Sequence, residues 1–243
     1  MTFRSDMISA AMLLTRLPVR GEPTAPAARA AWAWPLVGLV VGLAAGLAGV
    51  AGWALGATPA VAATLVIAVS VLLTGALHED GLADTADGLW GGAEPARRLE
   101  IMRDSRIGSY GVIALILLLL LRWSLIATAL IQGHVLFTVI AAAMVSRAAM
   151  AVLMRWQPHA RADGLSHGTG RPPAHAVWIA VALAALALLP AGAHGLAAAA
   201  LVAAALWALG RVARAKIGGQ TGDLLGACQQ ISEVAVLVAL TSA

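Results

Sequence analysis

Four carboxylates lie within nine residues of an otherwise strongly apolar chain. They belong to the segment HEDGLADTADGLWGG, residues 78–92, and are Glu79, Asp80, Asp84 and Asp87. On an α-helix, the i, i+4, i+7 spacing of the three aspartates places them within about 60° of one another. Carboxylates on one face repel unless a cation lies among them, and all-oxygen ligands suit Mg²⁺ or Mn²⁺. The motif therefore predicts a divalent-metal site, with Glu79 as a candidate fourth ligand or base.

Arginines follow these acids closely in the sequence. Within twenty residues of the last acid come Arg97, Arg98, Arg103 and Arg106. The run IMRDSRIGSYG, residues 101–111, adds Asp104, Ser105 and the backbone N–H groups near two glycines. Protein-bound Mg²⁺ usually shares substrate phosphates, and phosphoryl transfer needs cations against the phosphoryl oxygens. We therefore predict an enzyme that cleaves a diphosphate, with Asp104 as a catalytic candidate and Arg103, Ser105 and Arg106 as substrate-binding candidates.

Other interpretations of the acids stay open from the residues alone. An acid-rich loop between membrane helices can be merely solvated, and acids near helix ends can line the cation pathway of a transporter. A membrane phosphotransferase of the CDP-alcohol type is a further alternative, by analogy of reaction class. A cation pathway should place polar residues along several helices on both sides of the membrane. Here they cluster on one side, which favours an enzyme cavity.

The elements that must position these residues are membrane helices. The chain is 60% hydrophobic and only 12% charged, whereas soluble domains are about a quarter charged. A β-barrel is disfavoured, because the apolar runs are continuous and rich in Ala and Leu rather than alternating. We predict an all-α, polytopic helical bundle that forms one membrane domain over residues 1–243.

The spans can be counted from apolar segments, since a spanning helix needs roughly 20 apolar residues. Seven segments approach this length: 33–56, 58–77, 111–131, 134–154, 175–192, 194–210 and 222–241. The seventh is the weakest, because its first half, GDLLGACQQISEV, is polar. Residues 3–17 predict a short amphipathic helix at the membrane interface, ended by Pro18.

Basic residues predict the orientation. All but two of the sixteen Lys and Arg residues precede the first segment or lie in alternate connections, and the opposite connections carry none. By the positive-inside rule, the N-terminus and every chemically rich loop face the cytoplasm, which predicts one site on that side of the membrane. Basic residues at the ends of apolar segments also argue against nucleic acid as a partner.

Three polar residues have two interpretations each. Arg122 and Arg147 fall inside apolar segments, where charge is costly. They could bond helix carbonyls or buried acids, or line a polar cavity that receives an anionic substrate. Asp223 ends the motif GGQTGD, residues 218–223. It could cap the following helix, or act as a metal or ribose ligand.

The combination of motifs resembles the cobalamin synthase family, the adenosylcobinamide-GDP ribazoletransferases. EDGLADTADGLWGG followed by IMRDSRIGSYG carries the resemblance, and LLTRLPV and IGGQTGDLLGACQQISE are also similar to that family. These blocks run from about residue 12 to residue 233. The resemblance implies a Mg²⁺-dependent integral membrane enzyme of vitamin B12 nucleotide-loop assembly. It would join adenosylcobinamide-GDP to α-ribazole or its 5′-phosphate and release GMP.

The resemblance also implies roles for particular residues. The four acids would hold Mg²⁺ against the diphosphate while a ribazole hydroxyl attacks phosphorus, and Arg103 and Arg106 would neutralise the departing GMP. The base stays open among His78, Glu79 and Asp104. In QPHARADGLSHGTGR the family often has an aromatic residue where this chain has His159, and Arg161 is carried over as substrate-binding.

The glycine-rich stripe GLVVGLAAGLAG, residues 38–49, predicts close helix packing in the lipid bilayer. The stripe could lie within one subunit or between two, so a homo-oligomer is one expectation.

Overall fold

The chain folds into helices, as the composition predicts. The computed structural model describes residues 3–242, and that range contains no β-strand. The helices are α1 (Phe3–Leu14), α2 (Trp34–Ala54), α3 (Pro59–Thr74), α4 (Leu77–Gly91), α5 (Pro95–Ile101), α6 (Ser109–Ile131), α7 (Val135–Trp156), α8 (Gly164–Thr169), α9 (Ala174–Leu188), α10 (Gly192–Ile217) and α11 (Gly222–Thr241). Two short 3-10 helices, Ala27–Ala33 and Leu189–Ala191, precede α2 and α10. The all-α membrane-protein prediction is confirmed.

The predicted count of seven spans is not confirmed. The helical stretches within residues 3–242 that are long and apolar enough to cross a membrane number five: Ala27–Ala54, Ser109–Ile131, Val135–Trp156, Ala174–Ile217 and Gly222–Thr241. A sixth arises only if α3 and α4 count together, across a bend of 88°. With 16 residues, α3 alone is about 24 Å long, shorter than the roughly 30 Å of bilayer hydrocarbon.

Two predicted spans fall in one helical stretch, which reverses direction. The Arg155 side chain, at the end of α7, donates to the Pro172 carbonyl just before α9 (2.9 Å). The Gln157 side chain donates to the Gly210 carbonyl near the end of α10 (3.2 Å). Both ends of Ala174–Ile217 therefore lie beside the same end of α7.

The centre of the bundle is α7, which packs against α2, α9 and α11. The glycine stripe of α2 makes part of this contact, because a Cβ at Gly42 would lie 2.8 Å from the Ile140 Cα atom. On the next face of α2, Gly49 and Gly52 contact side chains of α3. These glycines therefore pack helices within one chain.

The N-terminal helix is tied to the bundle by polar contacts. It ends at Leu14, three residues before the predicted end, and packs against the 3-10 helix that precedes α2. Asp6 accepts hydrogen bonds from the Trp32 indole (2.9 Å) and the Thr24 hydroxyl. Its place at a membrane interface stays a prediction.

Candidate functional site

The acidic motif forms a helix, as its spacing predicts, and a sharp hinge sets the direction of that helix. Gly75 and Ala76 both have left-handed backbone, with φ of 67° and 57°. This conformation suits glycine and strains alanine. The hinge turns α4 by 88° from α3. Consequently α4 leaves the direction of α3 and carries Asp80 and Asp84 away from the axis of that helix.

Close packing of α4 on α11 brings a third acid to the same place. A Cβ at Gly81 would lie 2.7 Å from the Asp223 carbonyl oxygen, and one at Gly226 would lie 3.1 Å from the Gly81 Cα atom. Only glycines allow two helices to approach this closely. Asp223, in the first turn of α11, therefore faces Asp84 across the contact.

The three carboxylates form an acidic cluster: Asp80, Asp84 and Asp223. Asp80 is exposed and Asp84 is half-buried. Burial, followed by the charges of Asp80, Asp223 and Asp87, raises the pKa of Asp84 to about 7, against the opposing charge of Arg161. A cation bound here would relieve this repulsion.

One of the predicted arginines, Arg161, contacts the acidic cluster, and a second, Arg103, is linked to Arg161 through Asp163. Arg161 Nη2 is 3.3 Å from Asp223 Oδ2, and Arg161 Nε is 3.7 Å from Asp163 Oδ1. Arg103 Nη2 binds the same Asp163 oxygen at 2.5 Å. Arg161 Nη1 is buried and has no hydrogen-bond partner among residues 3–242. Arg161 therefore offers a fixed donor to an anionic group beside the acids, while the exposed Arg103–Asp163 pair is weak and can be exchanged.

The loop that carries Arg161 is held by the GGQTGD motif. The backbone of Gln220 donates to the Pro158 carbonyl (2.8 Å) and accepts from the Ala160 amide (2.9 Å). Its side chain binds the Ser166 hydroxyl (2.6 Å) and the His159 ring (2.9 Å). Gln220 is therefore the residue that fixes the loop, a role that its residue type and its place in the motif did not predict.

Of the two roles considered for Asp223, the structure assigns the helix cap to another residue. The Thr221 side chain accepts from the Leu224 amide (3.2 Å) and caps α11. Asp223 is left to bind Arg161 and to face the acids of α4. This leaves its carboxylate in the acidic cluster.

The fourth acid of the motif caps a neighbouring helix. Asp87 is buried and accepts from the backbone amides of Gly108 (2.7 Å) and Gly111 (2.9 Å), at the start of α6. A Cβ at either glycine would collide with this carboxylate. The interaction satisfies two N–H groups that a helix start leaves unpaired. The Asp87 carboxylate is therefore hydrogen-bonded to the start of α6 and is not available beside Asp80 and Asp84 in this structure.

The first acid of the motif joins a buried ion-pair network. Glu79 Oε1 is 3.1 Å from Arg122 Nη1 and accepts from the Gln230 amide (2.9 Å). Arg122 also pairs with Glu233 (2.7 Å) and donates to the Ser70 hydroxyl (3.0 Å). Glu79 is thus engaged away from the acidic cluster.

Of the two interpretations given for the intramembrane arginines, the contacts match the structural one. Arg122 reaches buried acids, as described above, and Arg147 donates to the Ala143 carbonyl (2.9 Å). An arginine inside an apolar segment signals that acceptors must exist. The polar run QQISE of α11 was the sequence signal for Gln230 and Glu233.

The remaining predicted residues form a separate local turn. Asp104 accepts from the Arg106 backbone (3.1 Å) and guanidinium (2.7 Å). These hydrogen bonds lower the pKa of Asp104 to about 2. Ser105 is exposed between them. The structure does not bring these three residues into contact with the acidic cluster.

The acidic cluster fits a divalent cation by its chemistry. Within residues 3–242, no group of three or more His, Cys, Asp or Glu side chains is arranged so that it could hold a metal ion by itself. Mg²⁺ needs no such cage, because it usually binds one or two carboxylates together with waters and substrate phosphates. Asp80 and Asp84, with Asp223 opposite, provide hard oxygen donors whose mutual repulsion a cation would relieve.

The fold and the site define a polytopic helical membrane protein with acids and arginines gathered at one end. The profile of the cobalamin-5-phosphate synthase family matches residues 6–241, and the chain belongs to this family.

Similar proteins cover almost the whole chain. The adenosylcobinamide-GDP ribazoletransferase of Bradyrhizobium diazoefficiens is 48% identical over 239 residues, which cover 96% of this chain and 92% of the relative. Proteins of the same name are 46% identical in Azorhizobium caulinodans, over 96% of this chain and 94% of the relative, and 41% identical in Mesorhizobium japonicum, over 96% and 91%. No solved structure matches the chain.

Proposed function

We propose that this chain is a transferase that joins adenosylcobinamide-GDP to α-ribazole or its 5′-phosphate. The products are adenosylcobalamin or its 5′-phosphate, and GMP. The observation that carries the proposal is the placement of Arg161 between the acidic cluster and Asp163, in a chain whose family and relatives bear this activity in their names. Family membership also favours this reaction over that of a CDP-alcohol phosphotransferase or a cation transporter.

The reaction is a phosphoryl transfer between oxygens. A ribose hydroxyl of the acceptor attacks the phosphorus that carries the cobinamide, a new P–O bond forms, and the bridging P–O bond to GMP breaks. The hydroxyl proton is lost and GMP leaves with the bridging oxygen. Catalysis of this kind rests on positioning and charge neutralisation more than on a strong base.

The acidic cluster and the two arginines have different roles in this reaction. Asp80 and Asp84, with Asp223 opposite, would hold Mg²⁺, which when bound neutralises charge on the diphosphate. Arg161, whose Nη1 has no partner among residues 3–242, would donate to a phosphoryl oxygen of the diphosphate. Arg103 exchanges Asp163 for the leaving phosphate, since both partners are exposed. This assignment keeps Arg103 in its predicted role and leaves Asp104, Ser105 and Arg106 outside the reacting centre.

The proposal includes the location of the site. Basic residues at alternate connections support a site on the cytoplasmic face of the inner membrane. The substrates are charged and water-soluble, so a site at one end of the bundle gives them direct access.

The test is a reconstituted assay. The purified protein in lipid nanodiscs receives adenosylcobinamide-GDP, α-ribazole 5′-phosphate and Mg²⁺, and GMP and cobamide are quantified by chromatography. We expect Mg²⁺-dependent turnover that EDTA abolishes and that Asp84→Asn and Arg161→Gln each lower at least a hundredfold.

Glu100→Gln is the matched control, because Glu100 is exposed and pairs only with exposed Arg97 in the contacts described. Folded protein that releases no GMP would refute the function. Turnover that survives Asp84→Asn at the same Mg²⁺ concentration would refute the metal assignment alone.

A further inference from the structure

An apolar cavity of about 40 Å³ adjoins the acidic cluster. Its apolar wall consists of Leu13, Leu14, Leu77, Met150, Met154 and Leu225. Gly222 and Gly226 also line it, and these residues flank Asp223 along α11. The cavity and the acidic cluster therefore share the first turn of α11.

Two buried polar side chains in the cavity wall lack partners. Trp34 and His78 both line the cavity, and each is 1% exposed. Trp34 Nε1 and His78 Nε2 form no hydrogen bond with any described residue of the chain. An unpaired buried polar group destabilises the folded state, and most buried polar groups in native proteins are paired. Two residues of an apolar cavity wall that each carry such a nitrogen point to a ligand that is mostly apolar and carries a hydrogen-bonding atom.

We propose that this cavity binds the aromatic base of the acceptor nucleoside, an inference that rests on the proposed function. The benzimidazole of α-ribazole is a flat, apolar bicycle with one in-plane nitrogen that is not attached to the sugar. That nitrogen accepts from the Trp34 indole N–H, while leucine and methionine side chains cover the ring faces. The ribose then lies at Gly222, where its hydroxyl meets the diphosphate held by the acidic cluster.

The cavity is smaller than the base, so a wall must move on binding, and we assign that movement to α8. A cavity of 40 Å³ holds roughly three water molecules, which is less than a bicyclic base occupies. One wall of the cavity comes from the short helix α8, through Leu165, Ser166 and Thr169. The side chain of Ser166 is held by Gln220 at 2.6 Å. Movement of α8 would enlarge the cavity and, because Arg161 precedes α8 directly, would couple base binding to the arginine that faces the phosphate.

The hydrogen bond to the base can be tested by a pair of acceptors. One is the ribazole phosphate, and the other is its indole analogue, in which a C–H group replaces the accepting nitrogen. We expect the native enzyme to prefer the benzimidazole by about tenfold or more in kcat/KM. In Trp34→Phe we expect this preference to vanish while the KM for adenosylcobinamide-GDP is unchanged. Trp178→Phe is the matched control, because Trp178 is 70% exposed on α9.

A second variant tests the cavity without removing a buried tryptophan. Leu13→Trp fills the cavity from α1, and we expect it to raise the acceptor KM at least tenfold with the KM of the corrinoid substrate unchanged. Met12→Trp is its control, since Met12 is 49% exposed on the same helix.

Three outcomes separate the inference from the proposed function. A native enzyme without transfer activity refutes the proposed function and the base site with it. An active enzyme whose Trp34→Phe variant keeps the native preference refutes the base site alone. An unchanged acceptor KM in Leu13→Trp refutes it independently.

Discussion

Replacing Asp87 by asparagine separates two explanations of the acidic motif. Spacing predicts Asp87 as a metal ligand, whereas the structure has it accept two backbone amides, at 2.7 and 2.9 Å, at the start of α6. An asparagine keeps one acceptor oxygen and turns an amide donor toward the other backbone N–H. It loses one charge-assisted hydrogen bond and leaves a buried donor facing a donor, which costs about 2–3 kcal/mol. For a chain of this size we expect the melting temperature to fall by about 5–10 °C.

Melting can be followed through the chain's one cysteine. Cys228 is buried, so a thiol-reactive fluorogenic dye labels it when the protein opens in detergent. Asp104→Asn is the matched control, because Asp104 lies in an exposed turn, and surface substitutions usually change stability by less than about 0.5 kcal/mol. In parallel, turnover is titrated with Mg²⁺. We expect Asp87→Asn to keep a half-saturating Mg²⁺ concentration within about twofold of the native value, since the cap does not bind the metal.

The opposite pattern would refute this reasoning. A melting temperature equal to that of the native protein, together with a strongly raised Mg²⁺ requirement, would make Asp87 a metal ligand. The carboxylate would then have to leave the α6 amides in the loaded enzyme.

Three further predictions concern the surrounding structure. Arg122→Met leaves two buried carboxylates unpaired and should destabilise the protein by about 3–5 kcal/mol in the same dye assay; an unchanged melting point would refute the ion-pair network. Gly226→Ala, whose Cβ would lie 3.1 Å from α4, should lower kcat/KM about tenfold, whereas Gly91→Ala, at 3.5 Å from its nearest neighbour, should not. The raised pKa of Asp84, about 7, favours the protonated folded state. The contribution of Asp84 to the free energy of unfolding is therefore fully present below about pH 4, and it is lost as the pH rises through 7. Asp84→Asn should remove that slope, and an identical pH–melting curve would contradict it.

Local patterns predicted the helix that carries the acids, because i, i+4, i+7 spacing depends only on helix geometry. The membrane class was predicted equally well, since it follows from the length and continuity of apolar runs. The number of spans was not predicted correctly, because α3 is short and ends in a hinge at Gly75 and Ala76. Positive φ at an alanine has no local sequence signal and is imposed by tertiary packing.

Partners across the chain could not be predicted from spacing. The position of Arg122 in an apolar segment indicated that it must have acceptors, but only the fold shows that these acceptors are Glu79 and Glu233. Likewise, the sequence around Gly108 and Gly111 suggested backbone amides that bind phosphate, whereas in the structure both amides donate to the Asp87 carboxylate. In each case a group with an unsatisfied hydrogen bond was visible in the sequence, while its partner came from a helix remote in sequence.

The four acids of the motif have two kinds of role, which explains why so many lie close together in an apolar chain. Glu79 binds Arg122 on α6, and Asp87 caps the start of the same helix. These two anchors lie about two helical turns apart and fix α4 in direction and rotation. Asp80 and Asp84 lie between the anchors, and neither side chain forms an ion pair within residues 3–242 at the distances of a salt bridge. Their repulsion is therefore maintained by the fold, and a bound cation would relieve it and could then hold a diphosphate beside the carboxylates.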